Sequence, residues 1–257
     1  MEGFCPLASG SKGNSIFVGT KNTRILIDAG LSAKATQEKL SLLDVDIRDI
    51  DAILVTHEHV DHIRGIGTIA TKYNIPVFAN SDTARAILET LDESPKFKIF
   101  STGETFEFGD LEIHPFSIQH DTLDPVAFII RTSNYKLGFC TDLGFVTTLV
   151  KNHLKECDYL YIEANHEPSM VHSSPRPMVY KQRVLSRQGH LSNEQCAELL
   201  LDIAHPGLKH IHLAHLSEEC NHPEKARSII QKTLDSLQLS TELSIALQHE
   251  ISKSIHF

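Results

Sequence analysis

Ala52-Ile53-Leu54-Val55-Thr56-His57-Glu58-His59-Val60-Asp61-His62 is the stretch that decides the fold. Its first four residues are apolar and β-favouring, so they predict a short buried strand ending at Thr56. Three histidines and two carboxylates follow within six residues, His57 to His62. A helical pattern (Ile66, Ile69, Ala70, Tyr73) begins near Ile63. Strand, ligand-rich loop and helix together place a cluster of side chains on rigid elements. Histidine and carboxylate are borderline-to-hard ligands, suited to Zn, Mn or Fe(II). His57, His59, Asp61 and His62 crowd a single tetrahedral ion, and two ions sharing the loop fit better.

Further ligands would have to come from elsewhere, and three apolar runs end in one. His120 follows the strand predicted over 111–118, Asp142 the strand over 135–141, and His215 the strand His210–Ala214. Alone, each reads as a cap or a surface residue. Three strand-end ligands behind a loop already rich in them point to metal.

Between these landmarks the pattern predicts a hairpin of Ser15–Gly19 and Thr23–Asp28. Helices are predicted over 32–43, 63–74, 81–91, from Gly144 onward, from Ser192 and over Pro223–Leu237. Short strands are expected at Val77–Ala79, Tyr159–Ile162 and 243–248. A β-rich centre spans 97–141, and the proline-bearing segment 163–190 reads as looser. Two β-rich halves, each followed by helices, predict an α/β (α+β) fold: two mixed sheets with helices outside, four layers in all. No linker or compositional break appears, so residues 1–257 are expected to form one domain.

Bulk properties narrow the class. The chain has 257 residues, 41% hydrophobic and 22% charged, as globular proteins do. No apolar run reaches membrane-spanning length, so no membrane partner is expected. The N-terminal residues do not read as a signal peptide. Five cysteines, an odd number without C-x-x-C spacing, predict free thiols and a cytoplasmic location. The net charge of -9 argues mildly against nucleic acid, although two divalent cations would offset about four charges.

His57-x-His59-x-Asp61-His62, with His120, Asp142 and His215, resembles the metallo-β-lactamase superfamily over about residues 7 to 218. The resemblance implies the αβ/βα sandwich and a hydrolase with two divalent ions, Zn, Mn or Fe. His57, His59 and His120 would bind one ion, and Asp61, His62 and His215 the other, with Asp142 between them. The stretches Leu7–Ser15, Asp28–Ser32, Thr141–Gly144, Glu163–His166, Gly189–Asn193 and His215–Ser217 look like the bacterial YycJ (WalJ) branch, regarded as related to nucleases. One departure is Cys220, where that branch usually has asparagine. Gly189-His190-Leu191-Ser192 is similar to the Gly-His-Ser-Thr of tRNase Z, which implies that His190 protonates the leaving group. No β-CASP insert of the RNase J kind is present.

The expected activity is therefore a metal-dependent phosphodiesterase or exonuclease, acting on DNA or RNA through a bridging hydroxide. A small-molecule hydrolase (cyclic phosphodiesterase, thioesterase or lactonase) is the alternative. Asp61 and His190 carry the expected catalytic parts. Ser9 and Asn14, in a glycine- and serine-rich turn, are expected to contact substrate. Arg183 and Arg187 join them, since His172–His190 carries four basic residues and no acidic one. His166 and His172 are expected at the surface.

Overall fold

The computed structural model describes residues 1–91 and 94–257. Fourteen strands are found among them: β1 Gly3–Ala8, β2 Ser15–Gly19, β3 Arg24–Ile27, β4 Ala52–Leu54, β5 Val77–Ala79, β6 Phe97–Ile99, β7 Phe106–Phe108, β8 Leu111–Ser117, β9 Val126–Arg131, β10 Lys136–Cys140, β11 Tyr159–Glu163, β12 His210–Ala214, β13 Glu242–Ile245 and β14 Ile255–His256. The helices are α1 Ala33–Ser41, α2 Val60–Ile63, α3 Ile66–Tyr73, α4 Ser81–Leu88, α5 Thr148–Leu154, α6 Pro168–Ser173, α7 Met178–Val184, α8 Asn193–Ile203 and α9 Pro223–Ser236. The strands belong to two seven-stranded sheets, ordered β14-β1-β2-β3-β4-β5-β6 and β13-β12-β11-β10-β9-β8-β7.

Both sheets are mixed. β14, β1, β2 and β3 pair antiparallel, whereas β3, β4, β5 and β6 run parallel. In the other sheet β9 and β10 are antiparallel, and β10, β11, β12 and β13 parallel. Every residue of β4, β5, β11 and β12 is buried. That is why these strands read as continuous apolar runs rather than alternating ones.

The residues form two compact units: Met1–Pro115 with Thr122–Val126 and Leu247–Phe257, and Phe116–Asp121 with Ala127–Ala246. In the first, Leu26, Ile53 and Val77 pack with Leu40 of α1, Ile66 and Ile69 of α3, and Ile87 of α4. In the second, Leu160, Ile162, Ile211 and Leu213 pack with Val150 of α5, Leu199 and Leu200 of α8, and Ile230 of α9. Each fully buried leucine or isoleucine contributes about 1.5–3 kcal/mol. These cores hold the strand ends in fixed positions.

Three predictions shift. The helix expected from Ile63 begins at Val60, so Asp61 and His62 lie in a helical turn, and a break at Gly65 precedes α3. β1 and β14 add strands at which no prediction was made. The helix expected over 81–91 is α4, Ser81–Leu88, capped by Asn80, whose side chain accepts from the Thr83 N–H. The segment 163–190 holds two short helices, α6 and α7, which its prolines start rather than break.

Candidate metal centre

In the first unit the ligand loop leaves the carboxyl end of β4, where open α/β sheets place their sites. Asp28, one residue past β3, supports it. Its Oδ1 accepts from the Thr56 N–H (2.8 Å) and its Oδ2 from the Thr56 hydroxyl (2.8 Å) and His62 Nδ1–H (2.7 Å). With Nδ1 so engaged, the His62 nitrogen for a ligand role is Nε2, which Asn14 Nδ2 approaches to 3.0 Å. Asp61 Oδ2 lies 3.6 Å from the same Nε2. His57 Nε2 and His59 Nδ1 are 3.1 Å apart. Two nitrogens on one ion at about 2.0–2.1 Å must lie about that close, so the pair fits a divalent cation.

In the second unit the site residues again sit at strand ends. Asp142 follows β10 and His215 follows β12, both with left-handed backbones (φ 57° and 53°), as Asp28 has (60°). Such conformations cost about 1–3 kcal/mol in non-glycine residues and cluster at functional sites. Asp142 Oδ1 is 3.7 Å from His120 Nε2 and 3.4 Å from His215 Nε2. His120 Nδ1 lies 3.0 Å from the Gly189 carbonyl, which orients its ring. One ligand atom each from Asp142, Glu163, His190 and His215 falls within 4.8 Å of the others. This donor set also suits a divalent cation.

Glu163, at the end of β11, organises the second unit. It is fully buried. Its Oε2 accepts from the Leu143 and Leu191 N–H groups (2.8 and 2.9 Å), and its Oε1 from His190 Nδ1–H (2.8 Å). His215 Nδ1 is 3.3 Å from the same Oε1. Burial alone would raise this carboxyl, but the charge and hydrogen bond of His190, with those of His215, hold it well below the usual carboxylate range. His190 itself sits just before α8, whose Ser192–Gln195 capping box fixes the turn.

Three asparagines complete the scaffold. Asn165 Nδ2 donates to the His215 carbonyl (2.6 Å). Asn221 Nδ2 donates to the carbonyls of Ala164 and Asn165 and to Asn193 Oδ1, while Asn193 Nδ2 donates back to Asn221 Oδ1. Cys220 is buried with Val171 and Val184, so the departure at that position places a thiol in an apolar cluster.

The metal-ligand candidates thus fall into two sets: His57, His59, Asp61 and His62 in one unit, His120, Asp142 and His215 in the other. The expected substrate contacts fare differently. Ser9 and Asn14 are buried. Asn14 Nδ2 donates to Asp61 Oδ2 (3.1 Å), so it steadies a ligand. Arg183 is committed to an ion pair with Asp121, and Arg187 lies over the Phe145 ring at 3.9 Å. His172 is exposed. His166 is buried, not at the surface, and burial pushes it down to about 4. Glu163 carried the signal that marked Asp142 and His215, a charged residue closing an apolar strand, yet received no role. Asn165, Asn193 and Asn221 gave no local signal. Among the described residues, no helix is long and apolar enough to cross a membrane.

A family described as "Beta-lactamase superfamily domain" matches residues 23–213. An exodeoxyribonuclease YycJ from Bacillus anthracis is 40% identical over 235 residues, covering 90% of this chain and 89% of its own. An exodeoxyribonuclease WalJ from Streptococcus pneumoniae is 38% identical over 238 residues, 91% of this chain and 88% of its own. Among solved structures, the metallo-β-lactamase fold protein YhfI from Bacillus subtilis superposes with a TM-score of 0.74 at 14% identity, covering 97% of this chain and 98% of its own. Its likeness shows the fold.

Proposed function

The chain belongs to the metallo-β-lactamase superfamily, on the branch that holds the two exodeoxyribonucleases, and from that premise we propose that it is a metal-dependent phosphodiesterase removing nucleotides from DNA ends. His57, His59, Asp61 and His62 of one unit, and His120, Asp142 and His215 of the other, would hold two divalent cations. Zn or Mn suits these imidazole and carboxylate donors. When bound, the cations supply positive charge for the phosphate oxygens and lower the pKa of water from about 15.7 towards about 7. The two compact units are read as halves of one domain, since the chain passes between them four times. Five free, buried cysteines support a reducing, cytoplasmic setting.

The observation that carries the reading is the pair of Glu163 and His190. Glu163 accepts the Nδ1 proton of His190, which fixes the ring and leaves Nε2 as the nitrogen that exchanges a proton with substrate. His190 gives a proton from Nε2 to the oxygen that departs from phosphorus, and Asp61 would hold a cation beside the reacting phosphate. A phosphodiester needs such an acid because its leaving alkoxide is strongly basic. A thioester does not, because a thiol of pKa about 8.5 leaves readily unprotonated. The pairing of His190 with buried Glu163 therefore favours phosphodiesters over thioesters.

Oligodeoxynucleotides labelled at either end, incubated with protein loaded with Mn or Zn, test the proposal. Stepwise release of nucleotides from one end, stopped by chelator, is expected. Intact oligonucleotide with every divalent metal overturns it.

A further inference from the structure

A cavity of about 280 Å³ in the second unit opens beside the acid loop. Its apolar lining is Phe145, Val146, Leu191 and Leu199, and its polar lining is Lys151, Gln195, Glu198 and Asp202. Leu191 is the immediate neighbour of His190, and Phe145 lies three residues past Asp142. The two walls are held together, because the Leu143 and Leu191 N–H groups share one carboxylate oxygen of Glu163. The cavity is thus registered against the group that protonates the leaving oxygen.

Phe145 is 37% exposed, unusual for a phenylalanine so close to a catalytic loop. The Arg187 guanidinium lies over its ring at 3.9 Å and is not among the cavity's lining residues. It packs on the ring. Gly144 lets the two loops meet: a Cβ there would lie 2.6 Å from the backbone carbonyl of Arg187. Within the polar lining, Lys151 pairs with Asp202 (2.6 Å).

We infer that this cavity is a nucleobase subsite, in which the base of the nucleotide beside the scissile phosphate stacks on Phe145. The inference rests on the nuclease reading. Its volume lies just below the roughly 300–1,000 Å³ of small-molecule sites, room for one planar heterocycle rather than a folded chain. Stacking on an aromatic ring backed by arginine accepts every base, as an enzyme that digests mixed sequence requires. Lys151, Gln195, Glu198 and Asp202 offer donors and acceptors to a base edge without imposing one pattern.

The test is a cycle of four kcat/KM values: wild type and Phe145→Ala, each on an oligonucleotide with a thymine at the digested end and on its abasic counterpart. Base stacking is worth about 5- to 150-fold in binding. The base should raise wild-type kcat/KM by about tenfold, and this factor should fall below about twofold in Phe145→Ala and return in Phe145→Trp. Nucleotide release with an unchanged base factor in Phe145→Ala overturns the subsite alone. No release by the wild type from either substrate overturns the nuclease reading, and the subsite with it.

Discussion

Glu163→Gln is the sharpest perturbation of the proposed chemistry. The carboxylate accepts two backbone N–H groups through Oε2 and His190 Nδ1–H through Oε1. Glutamine keeps the shape but has one acceptor oxygen. If that oxygen faces Leu143 and Leu191, the amide NH₂ meets His190 and favours the tautomer with its proton on Nε2, without stabilising a charged ring. If it faces His190, two buried N–H groups lose their acceptor, at about 1–3 kcal/mol each. Either way the acid is weakened, and general-acid catalysis is worth about 10²–10⁴-fold. The assay compares kcat for an oligonucleotide, whose leaving alkoxide needs a proton, with kcat for a p-nitrophenyl phosphodiester, whose phenolate does not. Metal content is measured on the same samples. We expect a loss of about 10²-fold or more on the first substrate and less than about tenfold on the second, at unchanged metal content. Equal losses on both at full metal content would refute the acid role.

Asp28→Asn removes the carboxylate that orients His62, and metal affinity measured by chelator competition should fall about 10–100-fold. Asn221→Ala strands the Ala164 and Asn165 carbonyls and the Asn193 amide, so urea denaturation should show a loss of about 3 kcal/mol or more; a change within about 0.5 kcal/mol would contradict the bracing role. His166, lowered to about 4 by burial against an ordinary 6.5, binds its proton more weakly when folded. Its stabilising effect is therefore complete above about pH 6.5 and is lost as pH falls towards 4, by up to about 3 kcal/mol. His166→Gln should flatten this slope in denaturation of the metal-free protein.

Much of this was legible because the candidate ligands sit at the ends of largely buried strands. Apolar runs of four or five residues closing on Asp or His exposed β4, β10 and β12 together with their ligands. The left-handed backbones at Asp28, Asp142 and His215 left no trace, since neither Asp nor His demands that conformation as glycine would. The start of α2 was hidden because its N-cap, His59, makes no side-chain capping bond. Asn165, Asn193 and Asn221 are separated by 28 residues at each step and meet only through tertiary packing. His166 looked like a surface residue because nothing local shows that it bridges to Ser192 and is covered.

The central claim is that nucleotide release depends on divalent cations held by these histidines and aspartates. Exonuclease activity followed while metal-free protein is titrated with Mn, with bound metal counted at each point, tests it most directly. The account predicts no activity at zero bound metal, a rise to a plateau at two ions per chain, and a return to zero with chelator. Activity in the metal-free protein, or none with two ions bound, would contradict it.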